Sequence, residues 1–542
     1  MGFRFSIIIL ILFLIYGIVI FNFYQLQIVK GGYYLAKASS QLSLSSQYLA
    51  NRGIIYGTDK NGNYIALAIN QNSPIIYANP SQITDATTVA NAIASILNKS
   101  PQSLINGLSQ KNQTYFLISK DPSSDEVSKI ANLNFKGIII SYLPTRFYPF
   151  NTLASNLLGF VGYASSSPQM IGRYGVEEYY NSLLSGQVIK QSDGEVKILN
   201  GQNLNLTIDP NIQFEAETVL KNLVDQYNCP GGEVIITDPQ TGKILAMAIL
   251  PNFNPNNYYN YSIGNFINPA ISQIFEPGSI MKVITMAIGI ENNKITPTTT
   301  YFDTGEVKVN GAVIKNWDLK SHGTMTMTGV IEDSLNTGAV FAENKIGNQL
   351  FAEYMKKFGF DKKTGIDLPS EISGDLSRLT LGAPQIYFDT AAFGQGVAVT
   401  PMELIEAVSA IANGGKLMRP YVNADLGPKM ISQVISPQTA SEVTQMMVAA
   451  VDNAKIAAIN GYSLAGKTGT AQIPKDGAYG ESEINNYIGF GPASNPKFLI
   501  YVRIDKPKGN PWAADSIVPV FRQLASFLIN YYNIPPDRIN TN

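Results

Sequence analysis

The stretch Glu276-Pro277-Gly278-Ser279-Ile280-Met281-Lys282, continuing as an apolar run to Ile290, decides how this chain is read. Proline marks a helix start, so Ser279 is expected in the first turn of a helix. The run behind it is apolar almost all round, the pattern of a buried helix. Residues three apart share a helical face, so the Lys282 amine is expected near the Ser279 hydroxyl in a poorly hydrated place. Desolvation disfavours an ammonium and lowers its pKa. A neutral lysine can take the serine proton, and the helix N-terminus favours developing negative charge. Taken alone, Ser-x-x-Lys is a weak signal, because a surface lysine beside a capping serine is spelled the same way.

Two later segments bear on the same chemistry. Ser334-Leu335-Asn336 lies between Val330-Ile331 and a helix expected to begin near Thr337. Its hydroxyl can relay a proton and its carboxamide can hold a substrate carbonyl, although such a tripeptide alone reads equally as a cap or turn. Lys467-Thr468-Gly469-Thr470 follows the alternating Tyr462-Ser463-Leu464-Ala465 and is expected on an edge strand. A cation and hydroxyls there can bind a carboxylate. Gly469 is expected to leave room for substrate to lie against the backbone, in the manner of strand addition. The three segments in this order form a specific set.

Composition narrows the alternatives. The net charge of -1 gives no global field for nucleic acid. One histidine and one cysteine exclude a zinc site built from a His/Cys cluster, and Cys229 has no intrachain partner. A Ser-His-Asp triad would need His322, which is read instead as structural or superficial. Trp317 and Tyr487 fit either a cleft wall or the core. No metal or organic cofactor is implied.

A length of 542 residues suggests two to four domains. Residues 5–23 are apolar and uncharged, and about 20 such residues span a bilayer as a helix. No small-x-small cleavage site follows at the distance a signal peptide requires. The expected division is a cytoplasmic tip and transmembrane anchor over 1–24, a stalk and non-catalytic pedestal over 25–204, a main domain over 205–535, and a tail over 536–542. In the pedestal, Lys60-Asn61-Gly62-Asn63 is a hairpin turn, and helices are expected over Val89–Lys99 and Ser123–Leu133. In the main domain, a strand over Leu204–Ile208 precedes a helix over Ile212–Leu223. Strands are expected over Glu233–Thr237, Lys243–Ala248, Tyr487–Gly491 and Phe498–Ile504, and a last helix over Ser516–Tyr532. Strands at both ends with helices between them indicate an α+β fold, an antiparallel sheet sandwiched by helices.

With these motifs in view, the chain resembles the class B penicillin-binding proteins, the monofunctional transpeptidases of peptidoglycan. Glu276–Lys282, Ser334-Leu335-Asn336 and Lys467-Thr468-Gly469-Thr470-Ala471-Gln472 resemble the family's three motifs. Gly394-Gln395-Gly396 with Thr400-Pro401 resembles its glycine-glutamine segment. Leu206-Thr207-Ile208-Asp209 is similar to the start of its transpeptidase domain. Arg52-Gly53, Arg146-Phe147-Tyr148-Pro149, Gly159-Phe160-Val161-Gly162 and Gly175-Val176-Glu177-Glu178 resemble its pedestal. Ile54–Gly62 carries about two more residues than the family pattern at the pedestal start, and Leu335 stands where many members have serine.

The resemblance implies a reaction and roles. Ser279 would attack the D-Ala-D-Ala carbonyl of a stem peptide, with Lys282 as base and Ser334 as proton shuttle. Asn336 would hold the substrate amide, and Lys467, Thr468 and Thr470, with Gly469 between them, would position its carboxylate. Backbone N–H groups of Ser279 and Thr470 would form the oxyanion hole. β-Lactams would acylate the same serine, and a polytopic membrane glycosyltransferase would be the partner. The enzyme would sit in the cell membrane as a single-pass protein, N-terminus cytoplasmic and catalytic domain outside. The competing readings are a β-lactamase or β-lactam sensor, a D,D-carboxypeptidase, and a non-catalytic scaffold for the glycosyltransferase.

Overall fold

Two strands from opposite ends of the C-terminal part pair with each other. Gly232–Asp238 runs antiparallel to Phe498–Asp505, with Val234 opposite Val502 and Ile236 opposite Ile500. A five-stranded antiparallel sheet forms around them in the order Lys243–Leu250, Gly232–Asp238, Phe498–Asp505, Ala478–Gly491, Ala465–Lys475. Successive strand residues face opposite ways, and here both faces are covered. Val234, Ile236, Ile500 and Val502 share a core with the helices Pro210–Tyr227 and Val518–Tyr531. Ile235, Met247 and Tyr501 join a second core with Ile284 and Ile288 of the helix Met281–Glu291. A strand buried on both faces is spelled as a continuous apolar run, as Val234-Ile235-Ile236 is.

This computed structural model describes residues 50–120, 122–164, 167–190, 196–475, 478–509 and 512–538, together with Tyr16. Apart from Tyr16, the expected membrane span over 5–23 and the stalk up to residue 49 lie outside the described residues. Among the described residues no helix is long and apolar enough to cross a membrane.

The pedestal has its own sheet. Tyr64–Ala78 is its spine, pairing with Ile55–Thr58, Phe116–Lys120 and Ile138–Phe147. The Asn-Gly turn is held by the Asp59 carboxylate, which accepts from the backbone N–H of Asn61 (2.8 Å) and Asn63 (2.9 Å). The two expected helices run over Ala86–Leu97 and Ser124–Asn132. The second is capped reciprocally by Ser123 and Glu126, a capping box. Three pedestal motifs meet at one carboxylate. Glu177 accepts from Arg52 Nε at 2.6 Å and Arg146 Nε at 2.7 Å, all three side chains being buried. Arg146 also donates to the Gly53 carbonyl at 2.8 Å, so the motifs lock the chain entry to the sheet.

The strand expected over Leu204–Ile208 is shorter, because its residues change partners. Leu204-Asn205 pairs parallel with Ile55-Tyr56 of the pedestal. Leu206 then bridges to Asn423, and Asp209 caps the helix Pro210–Tyr227. The pedestal packs onto the main domain through aromatic rings, Phe160 stacking on Tyr258 at 4.1 Å and meeting Phe253 and Phe266 edge-on. The last helix is divided into Ala513–Ser516 and Val518–Tyr531, with Pro519 in the first turn of the second, where its missing N–H costs nothing. The described part of the expected tail is docked. Arg538 pairs with Asp452 at 2.7 Å, and Asp537 accepts from the Ser463 N–H at 2.7 Å.

Candidate active site

Ser279 lies in a tight turn, Gly278–Ile280, that runs directly into the helix Met281–Glu291. Every residue of that helix from Met281 to Ile290 is buried. The helix is packed on all sides, so Lys282 has no route to snorkel into solvent, and its side chain is fully buried. Burial, and then the nearby charge of Lys467, push its pKa well below the ordinary lysine value. Ser279 itself is half-buried, one turn ahead of this amine.

Ser334 sits between the helices Met327–Glu332 and Asn336–Ile346. Its φ of 56° is in the left-handed region, uncommon for a residue with a side chain and a cost borne at functional sites. The conformation presents two oxygens of one residue to the same amine. Lys282 Nζ donates to the Ser334 carbonyl at 2.6 Å and lies 3.3 Å from its hydroxyl. From the other side Lys467 Nζ donates to the same hydroxyl at 2.9 Å. Lys467 is also within 3.2 Å of the Thr468 carbonyl and is pushed down to about 7 by burial. One hydroxyl thus connects two desolvated lysines. Asn336 starts the following helix and donates from Nδ2 to the Lys315 carbonyl at 2.8 Å.

Lys467–Thr470 belongs to Ala465–Lys475, the edge strand of the sheet. Thr468 and Thr470 are half-buried. Gly469 is explained differently from the expectation that it clears space for substrate. A Cβ there would lie 2.2 Å from Asn486 Oδ1 and 2.8 Å from the Pro277 carbonyl. The missing side chain lets the strand close onto its neighbour and onto the serine turn.

The turn is clasped from behind by a segment whose part in the site no motif logic assigned. The Gly278 N–H donates to the Gly394 carbonyl at 3.1 Å, and Phe275 and Val399 exchange both backbone hydrogen bonds. Glu276 accepts from the Gly396 N–H at 2.9 Å. Gly394 has φ 82°, and a Cβ on it would stand 2.1 Å from the Gly278 carbonyl, so only glycine fits. The spelling Gly-Gln-Gly was legible; its contact with the serine turn was not.

The remaining candidates separate. Tyr487 is buried against Phe521, with ring centroids 4.8 Å apart, and is core. Trp317 is 54 % exposed and donates from Nε1 to the Asp333 carbonyl at 2.9 Å. His322 lies between two carboxylates, Nδ1 being 2.8 Å from Asp303 and Nε2 3.1 Å from Asp318. Burial opposes its protonation, but the Asp303 hydrogen bond and the charges of Asp318, Asp303 and Asp333 outweigh that and raise its pKa. Asp303 also accepts from Thr337 Oγ1 at 2.8 Å, so the histidine braces the start of the helix that carries Asn336.

Residues 232–526 match the family model for the penicillin-binding protein transpeptidase domain, and residues 47–209 match that for the penicillin-binding protein dimerisation domain. Stage V sporulation protein D of Bacillus subtilis is 31 % identical, with 92 % of this chain and 82 % of that protein covered. Peptidoglycan D,D-transpeptidase FtsI of Escherichia coli K12 is 27 % identical, with 94 % and 88 % covered. The crystal structure of penicillin-binding protein 2X from Streptococcus thermophilus shares the fold, with a TM-score of 0.74 at 23 % identity over 90 % of this chain and 81 % of that one.

Proposed function

The chain belongs to the class B penicillin-binding proteins, the peptidoglycan D,D-transpeptidases, and from that premise we propose that Ser279 is its nucleophile and Lys282 its general base. The observation that carries this is the burial of Lys282. Burial holds the amine's pKa well below the ordinary lysine value, which favours the neutral form that can accept a proton. Ser279 loses its proton to Lys282 as Oγ attacks the penultimate D-Ala carbonyl of a stem peptide. The tetrahedral oxyanion is held by the backbone N–H groups of Ser279 and Thr470, an arrangement typically worth a few kcal/mol. The close approach of Gly278 to the Thr470 carbonyl supports this pairing, since a Cβ on Gly278 would lie 2.8 Å from that oxygen. Ser334, within reach of both lysines, passes the proton to the departing amine nitrogen, and D-alanine leaves.

Lys467, Thr468 and Thr470 on the edge strand hold the substrate's terminal carboxylate, while Gly469 keeps the strand seated. Asn336 Nδ2 is engaged by Lys315, which leaves Oδ1 to accept from the substrate amide N–H. An amine from a neighbouring strand then attacks the acyl ester, forming the cross-link and restoring the serine. Residues 5–23 anchor the enzyme in the cell membrane as a single span with the catalytic domain outside, and the pedestal docks a membrane glycosyltransferase.

Replacing Ser279 by alanine tests the assignment. Labelling by fluorescent penicillin is expected to vanish from the folded variant; label persisting on another residue removes Ser279 from the role. Rapid penicillin turnover by the native chain would favour a β-lactamase instead.

A further inference from the structure

The chain has two tryptophans. They touch each other edge-on, with ring centroids 5.3 Å apart and an interplanar angle of 71°. Both are half-exposed, Trp317 at 54 % and Trp512 at 47 %. Large aromatic rings are usually buried; left open together they mark a binding surface.

Each residue is tied to a different wall of the active site, Trp317 through its ring and Trp512 through its backbone. Trp317 donates from Nε1 to the carbonyl of Asp333, the residue before Ser334. Trp512 precedes the short helix Ala513–Ser516, and its carbonyl accepts from Ser516 Oγ at 2.9 Å. Ser516 Oγ in turn accepts from Asn485 Nδ2 at 3.1 Å, and Asn485 is the cross-strand partner of Thr470. The pair therefore joins the Ser334 wall to the Lys467–Thr470 wall, away from the Lys467–Ser334 contact that joins them inside.

The surroundings select a cation. Glu332 and Asp333 lie on the turn to which Trp317 is tied, and among the described residues neither has a basic side chain within ion-pair distance. Partial burial, and then the adjacent Asp333 charge, raise the Glu332 pKa. Tryptophan is the best aromatic partner for an ammonium. The substrates of the proposed reaction bring one cation to the site, the ammonium of the acceptor strand, and none of the residues assigned to the donor peptide would recognise it.

We propose that Trp317 and Trp512 form the acceptor subsite, taking the alkylammonium side chain of the acceptor stem peptide between the two walls. The alkyl chain lies on the indole faces and the ammonium meets the ring faces and the acidic turn. This deepens the transpeptidase reading and rests on it. To react, the ammonium gives one proton to water. Its nitrogen then attacks the Ser279 ester carbonyl, and the second proton passes through Lys282 to Ser279 Oγ as the C–O bond breaks. The products are the new amide and a free serine.

The test uses the full-length chain, a small acyl-D-alanyl thioester as donor and Nα-acetyl-lysine amide as acceptor probe. Because Trp317 and Trp512 are the chain's two tryptophans, intrinsic emission reports on this pair directly. Emission is expected to change saturably with the probe, and not with the same compound acetylated on Nε. Trp317→Ala and Trp512→Ala are each expected to lower the ratio of aminolysis to hydrolysis by about tenfold. Acylation by penicillin, which needs no acceptor, should fall by much less. The Trp→Phe variants keep a ring face and should recover part of the ratio, which also covers an alanine variant that folds poorly. An unchanged ratio, an equal loss of acylation and aminolysis, or an emission change shared by the neutral control overturns the proposal. None of these results touches the Ser279 assignment, which stands or falls on the Ser279→Ala label.

Discussion

Lys282 Nζ donates to the carbonyl oxygen of Ser334 at 2.6 Å, across 52 residues of sequence. The bond fixes the direction of an amine that lies at the start of a buried helix. It also ties the helix behind Ser279 to the loop that carries Ser334. A buried polar group must find a partner, and here the partner is supplied by a residue held in the left-handed region.

Replacing Lys282 by methionine keeps an unbranched chain, one atom shorter, and removes the proposed base. Penicillin acylation is expected to fall by roughly 10²–10⁴-fold, the usual worth of a positioned general base. Circular dichroism should show an intact fold, because an unbranched apolar chain suits this pocket. A loss below tenfold in folded protein would take the base role from Lys282.

The pH dependence of acylation should be bell-shaped when the donor carries a carboxylate. In the proposed mechanism Lys282 works as the neutral amine, so the rate rises as pH passes its lowered pKa. In the same mechanism Lys467 works as the cation, and burial brings it to about 7, so carboxylate binding weakens as pH rises through that region. Arginine stays charged throughout. In Lys467→Arg the alkaline limb should move up by at least one pH unit while the acid limb stays, measured as second-order acylation rates from about pH 5 to 10.

His322 contributes stability of the opposite sense to a buried carboxylate. Its folded pKa is raised, so the folded state binds the proton more tightly than the unfolded chain. That contribution is complete below the unfolded value of about 6.5 and disappears as pH rises through the folded value. His322→Gln should therefore lower the melting temperature most below about pH 6.5, with the gap closing as pH rises through the raised folded value. A gap independent of pH would mean that packing, and not the proton, is what the ring supplies.

Gly469→Ala places a methyl 2.2 Å from Asn486 Oδ1. Such overpacking costs about 1–3 kcal/mol. Asn486→Gly removes the obstructing amide, so the double variant should recover part of the loss. Denaturant melts of the four proteins read the coupling directly. Strict additivity would show that the cost lies elsewhere.

Glu177→Ala leaves the Arg52 and Arg146 guanidiniums buried without their carboxylate. Breaking a buried ion pair on one side costs about 3–5 kcal/mol. The pedestal should become protease-sensitive at lower temperature than the domain around Ser279. Simultaneous loss of both would mean that they unfold as one unit.

Much of the fold could be read along the chain. The doubly buried strands around Val234 and Ile500 announce themselves as apolar runs, and the Asn-Gly hairpin and the capped pedestal helices carry local turn and cap chemistry. The strand at Leu204–Ile208 was read too long because alternation does not say where a strand changes partners. The contact of Gly469 with Asn486 and Pro277 is not legible, since a glycine records that something is close but not what. The Gly394 clasp and the tryptophan pair left no periodic trace.

What the amino-acid order determined by itself is the Ser279–Lys282 helix, the edge-strand character of Lys467–Thr470 and the set of motifs that names the family. These depend on repeats of two or 3.6 residues and on neighbours within a turn. What the tertiary structure alone decided is that Ser334 meets both lysines, that Gly278 rests on Gly394 and that Trp317 reaches Trp512. Each joins segments far apart in the chain. Their meeting depends on a sheet order that sets Gly232–Asp238 beside Phe498–Asp505, which local propensity does not encode.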